Sequence, residues 1–177
     1  NVAFGNHALA ANTTGFNQTA VGSGALAANT TSNSNTAVGR DSMNANTTGG
    51  ANTAVGSDSL KANTTADYNT AVGQSALLSN TTGSSNNAFG VESMKTNTTG
   101  NQNCAFGRQS LKTNNGDYNN AFGHQTLENN TTGSQNVAIG LNALTANTTG
   151  SYNVAIGHAA LTTSTTISNN TAVGHEA

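Results

Sequence analysis

The sequence predicts an all-β chain, a parallel β-solenoid with one 17-residue repeat in each coil. Three observations predict it. A glycine recurs at Gly5, Gly22, Gly39, Gly56, Gly73, Gly90, Gly107, Gly123, Gly140, Gly157 and Gly174, every 17 residues except for one interval of 16 between Gly107 and Gly123. Its neighbours keep strict register: Ala two places before, Val, Phe or Ile one place before, and Leu or Met four places after. The composition opposes helix, because 30 Asn, 29 Thr and 20 Gly stand among 177 residues, and all three weaken helix interiors.

The unit reads Asn-x-Ala-(Val/Phe/Ile)-Gly-x-x-(Ala/Ser)-Leu-x-x-Asn-Thr-Thr-Gly-x-x. Residues 1–177 are read as a single repeat domain of ten full repeats and a partial one, a fragment of a longer fibre. The segment x-Ala-Val-Gly suits a strand, in which alternate residues face opposite sides. A second short strand is expected over the Ala/Ser-Leu pair. Asn-Thr-Thr-Gly reads as a turn, since Asn and Gly tolerate left-handed backbone. The short copy, Asn114-Asn115-Gly116, has lost the Thr pair. A deletion inside a strand would flip every later side chain, so this one marks a surface corner. The repeating Gly needs either positive φ or a backbone approach that excludes a Cβ.

Coils stacked about 4.8 Å apart bring equivalent residues into rows. The Asn row is Asn12, Asn29, Asn46, Asn63, Asn80, Asn97, Asn114, Asn130 and Asn147, with Ser164 in the tenth place. These amides can form ladders that satisfy polar groups at the corners. A thin coil has room inside for Ala, which turns the large row outward: Phe4, Val21, Val38, Val55, Val72, Phe89, Phe106, Phe122, Ile139, Ile156 and Val173. Covering that row offers on the order of 15–30 kcal/mol per chain before entropy. An apolar stripe of this length predicts a chain interface, and a homotrimer around a common axis would cover it. The opposite assignment, large row inside and Ala outside, gives a monomeric solenoid.

Charged residues are 7% and net charge is −2, too weak a field to attract nucleic acid or anionic lipid. No apolar run has the length of a membrane span, so no membrane insertion is expected. Leu, Ile, Val and Phe make only about 15% of the chain, but their register and the low charge argue against disorder. The single cysteine, Cys104, forms no disulfide framework. Asp41, Asp58, Asp67, Glu92, Asp117, Glu128 and Glu176 read as scattered through the repeat, which predicts no paired-carboxylate site. His158 and His175 fall one coil apart, close enough to stack with room for a metal, and read as polar surface residues. No nucleophile elbow and no periodic-Asp calcium signature is present. No catalytic residue, cofactor or metal is therefore assigned. Asn-Thr-Thr matches the N-glycosylation acceptor pattern, and the ladder reading is preferred for it. Tyr68, Tyr118, Tyr152, Arg40 and Arg108 vary between copies and are the side chains available for recognition.

The segments Asn136-Val137-Ala138-Ile139-Gly140 and Asn153-Val154-Ala155-Ile156-Gly157 resemble the head repeats of trimeric autotransporter adhesins of the YadA-like type. The full unit, as in Asn69-Thr70-Ala71-Val72-Gly73 with Ala76-Leu77 and Asn80-Thr81-Thr82-Gly83, is similar to repeats of phage tail-fibre and bacterial fibre proteins. The adhesin repeat is shorter and lacks the Asn-Thr-Thr corner. The resemblance spans the whole chain and implies a trimeric, left-handed parallel β-roll used for surface attachment. It implies an extracellular place, on a cell surface or a virion fibre, and a cell-surface or glycan receptor as partner. The expected function is a non-catalytic structural or attachment fibre segment. The alternative is an ice-binding β-solenoid, raised by the Thr rows.

Overall fold

The computed structural model describes all 177 residues. Eleven strands of three residues each follow one another: β1 Val2–Phe4, β2 Thr19–Val21, β3 Thr36–Val38, β4 Thr53–Val55, β5 Thr70–Val72, β6 Asn87–Phe89, β7 Cys104–Phe106, β8 Asn120–Phe122, β9 Val137–Ile139, β10 Val154–Ile156 and β11 Thr171–Val173. They form one parallel sheet in sequence order. Like pairs with like, as in Thr36↔Thr53, Ala37↔Ala54 and Val38↔Val55. The chain is a parallel β-solenoid of ten turns with no helix.

Only 20 of 118 backbone hydrogen bonds lie within the strands, so the rest of the perimeter holds the coils together as well. Leu26 N–H reaches Ser42 O at 3.0 Å, and Ala28 N–H reaches Asn44 O at 3.0 Å. The alternation inferred for the strand holds. Ala20, Ala37, Ala54, Ala71, Ala88, Ala105, Ala121, Ala138 and Ala155 are fully buried, and the core is completed by the Leu/Met row. Val21 and its equivalents stand outside. The monomeric alternative, with the large row inside, is thereby overturned as a side-chain assignment.

The second strand does not form. The segment after each Gly is a succession of turns, in which two residues per coil take the left-handed conformation. In the fourth copy these are Asp58 at φ 59° and Leu60 at φ 48°. An extended strand cannot contain them. A 17-residue coil with one three-residue strand must bend at every other place, and these bends swing Leu60 inward to full burial. Left-handed backbone costs an L-residue about 1–2 kcal/mol, which the ladder bonds to both neighbouring coils offset.

The Asn-Thr-Thr-Gly corner also differs from expectation. Neither its Asn nor its Gly has positive φ; the left-handed residue comes two places after the corner Gly, as at Ser85, φ 60°. The corner is closed by a side chain: Asn80 Nδ2 donates to Gly83 O at 2.9 Å. Ala51 occupies the left-handed place in its own coil, exposed, at φ 55°. Ala51→Gly is expected to stabilise the chain by about 0.5–1 kcal/mol, read as a higher urea midpoint. An unchanged or lower midpoint would show that the bend carries no strain.

Candidate functional site

Two amide ladders run through the interior, where the sequence reading placed one row at the corners. In the first, Asn63 Nδ2 donates to Asn46 Oδ1 at 2.8 Å, Asn80 to Asn63 at 3.0 Å and Asn97 to Asn80 at 2.9 Å. In the second, formed by the Asn four places before the repeating Gly, with Gln18 in that place before Gly22, Asn86 N–H donates to Asn69 Oδ1 at 2.9 Å and Asn86 Nδ2 donates to Gly100 O at 2.8 Å. The ladders meet at the corner carbonyls: Gly100 O also accepts from Asn97 Nδ2 at 3.1 Å. Asn29, Asn46, Asn63, Asn80, Asn97, Asn114, Asn130 and Asn147 are fully buried, so these amides are not available as glycosylation acceptors in the folded chain.

The first ladder stops at Ser164. Asn147 Oδ1 is buried and has no hydrogen-bond partner. Ser164→Asn restores the missing donor and is expected to add about 1 kcal/mol. Greater amide protection over residues 147–150 checks it, and unchanged protection contradicts it.

The short coil keeps its register because a side chain replaces a lost carbonyl. Elsewhere one Thr carbonyl collects the corner bonds, as Thr64 O does from Thr47, Thr48 and Gly49 N–H. Here Asn115 Oδ1 accepts from Thr98 N–H at 2.8 Å, Thr98 Oγ1 at 2.8 Å and Thr99 N–H at 3.3 Å.

The outer face of the sheet carries the apolar row. Phe89, Phe106 and Phe122 stack with centroids 4.5 and 5.2 Å apart and rings within 6° of parallel. Val55, Phe106, Phe122, Ile139 and Ile156 remain 37–40% exposed. Well over half of each of these five residues is thus already covered within the chain. The gain left for a partner falls to about 0.5–1 kcal/mol per side chain, roughly 5–10 kcal/mol along the row, below the 15–30 kcal/mol that full exposure implies. Cys104 lies on this same face, two places before Phe106, and partial burial pushes its thiol above the ordinary value.

Beyond the strand lies a charged strip. Arg40 pairs with Asp41 at 3.0 Å and Asp58 at 2.8 Å, and Lys61 pairs with the same two acids. The acids are therefore less scattered than the sequence reading had them: Asp41, Asp58, Glu92 and Glu176 all stand two places after the repeating Gly. The Asp41–Asp58 pair is bridged by two cations, and the Lys61 hydrogen bond holds Asp58 below the usual carboxylate range. Lys95 and Gln109 hold Glu92 at about 2. Arg108 Nη1 lies 3.1 Å from His124 Nε2. His158 and His175 stack with centroids 4.8 Å apart, beside Glu176.

On another edge Tyr68, Tyr118 and Tyr152 occupy one place in the repeat and are 68%, 54% and 58% exposed. Two shallow grooves, of about 320 and 290 Å³, include the pairs Asp67–Tyr68 and Asp117–Tyr118. Arg40 and Arg108, equally singled out by variation, are engaged within the chain. No protein-family model, characterised protein or solved structure matches the chain.

Proposed function

We propose that this chain is a non-catalytic structural and attachment fibre segment, working as a parallel homotrimer outside the cell, on a cell surface or a virion fibre. One observation carries the reading: a continuous, partly exposed apolar row runs along the outer face of the sheet from Phe4 to Val173. A row of this kind is a surface for another chain, and its even spacing favours a partner with the same repeat. Parallel copies match coil for coil. The resemblance of the repeats to adhesin heads and tail fibres points the same way.

Cys104 provides a direct test, because it sits on the face that the partners cover. Under oxidant, copies packed through this face are expected to give a covalent dimer that Cys104→Ser abolishes. Cross-linking that is absent at every oxidant concentration, in a chain that light scattering finds monomeric, would remove the shared-face packing.

Attachment would use the Tyr edge, where Tyr68, Tyr118 and Tyr152 are exposed. Stacking of sugar rings on exposed Tyr, with Asp and Ser hydroxyl or carboxylate groups alongside, suits a glycan receptor. Tyr68→Ala with Tyr118→Ala and Tyr152→Ala is expected to abolish glycan-array or cell binding while leaving the fold intact. Binding that survives all three changes moves recognition elsewhere on the fibre. The ice-binding alternative is poorly served by the Thr rows: Thr19, Thr36, Thr53 and Thr70 share the sheet's outer face, but Asn87, Cys104 and Asn120 interrupt them. At the corner, Thr hydroxyls are spent on the next coil, as Thr47 Oγ1 donates to Thr64 O at 3.0 Å. A thermal-hysteresis assay separates the two functions.

A further inference from the structure

We propose that His158, His175 and Glu176 form a site for a divalent transition-metal ion that ties two neighbouring coils together. The first support is placement. His158 and His175 stand directly after Gly157 and Gly174, one coil apart, and their rings stack at 4.8 Å and 21°. One donor atom from each of the three residues lies within 4.8 Å of the other two. Tetrahedral zinc with nitrogen ligands at about 2.0–2.1 Å needs donors about 3.3 Å apart. Side-chain rotation supplies the difference, because all three residues are exposed.

The second support is that the chain's other acids and a further imidazole are committed elsewhere. Of the seven acids, Asp41, Asp58, Glu92 and Glu128 are paired with cations, and Asp67 and Asp117 accept backbone N–H bonds. Glu176 is the seventh acid, and it stands beside the two imidazoles. His124, by contrast, is engaged with Arg108, and the place equivalent to His7 in the next coil is Gly24, which has no side chain.

The third support is a precedent within the chain. Arg40 and His158 share the place after the repeating Gly, and Asp58 and Glu176 share the next place in the following coil. In the first pair the two side chains meet, Arg40 Nη2 to Asp58 Oδ2 at 2.8 Å. The repeat therefore brings His158 toward Glu176 by the same route, and His175 completes the set. Two imidazoles and one carboxylate suit Zn²⁺, Ni²⁺ or Cu²⁺ and leave a coordination position open to water or another ligand. Such an ion binds the folded chain and not the unfolded one, which stabilises these coils.

The site lies within one chain, so its test is independent of the number of chains in the fibre. The probe is Zn²⁺, titrated calorimetrically into the 177-residue chain without a histidine tag. The expected result is one ion per chain, with affinity lowered at least about tenfold by H175A, by H158A and by E176Q, and unchanged by H124A. Circular dichroism of each variant checks the fold, and Zn²⁺ should raise the unfolding midpoint of the parent chain but not of H158A/H175A. No heat of binding to the parent chain, or equal binding by H158A/H175A, would overturn the site.

Discussion

Gly73→Val is expected to open the coil around it and to cost about 4 kcal/mol or more. Gly73 has φ +132°, a backbone region that side chains rarely enter, and a Cβ there would sit 2.5 Å from Gly90 O in the next coil. Strain and overlap act together, and neither can relax without breaking the β5–β6 register. Stability in a solenoid is a sum over neighbouring coils, so the damage should be local: amide protection lost around residues 70–93 and a second unfolding transition. Gln74→Val is the matched control. Gln74 is exposed, and its place holds Val91 and Leu141 in other copies. Ser84, which looks free to vary in the sequence, is no control, because its hydroxyl accepts the Asp67 N–H bond at 3.2 Å. Equal midpoints for the Gly73 and Gln74 variants would show that the glycine row has no special backbone role.

Asn86→Leu comes second. Asn86 Oδ1 accepts both the backbone N–H of Asn103 at 3.0 Å and its Nδ2 at 3.1 Å, and Asn86 Nδ2 holds Gly100 O. Leucine fills a similar volume but leaves the buried Asn103 N–H without an acceptor. A buried orphan of this kind costs about 1–3 kcal/mol beyond the bonds lost, so a fall of about 3 kcal/mol is expected. The exposed Gln102→Leu should change stability by less than about 0.5 kcal/mol. An Asn86→Leu chain as stable as its parent would mean that the ladder only fills space.

The repeat, the strand and the outward turn of the apolar row were legible, because period-two alternation needs only the obligatory Ala beside the large residue. The Asn rows were legible as ladders and illegible as core. Asn is ordinarily a surface residue, and full burial becomes affordable only when each amide finds its copy in the next coil. The left-handed Leu60 was illegible for a related reason. Leucine has no local preference for φ 48°, and the compensation lies in bonds to adjacent coils that one repeat does not contain. Glu176 was missed beside the two histidines, although the Arg40 and Asp58 positions carried the signal that these two places meet across coils.

The proposed trimer covers each chain's apolar row with other copies of the chain. Light scattering coupled to size-exclusion chromatography, on the 17.6 kDa chain at physiological salt, tests it most directly. A single species near three times the chain mass is expected, which I139E with F106E converts to monomer while strand content is retained. A folded, soluble monomer at high protein concentration, with the row intact, would contradict it.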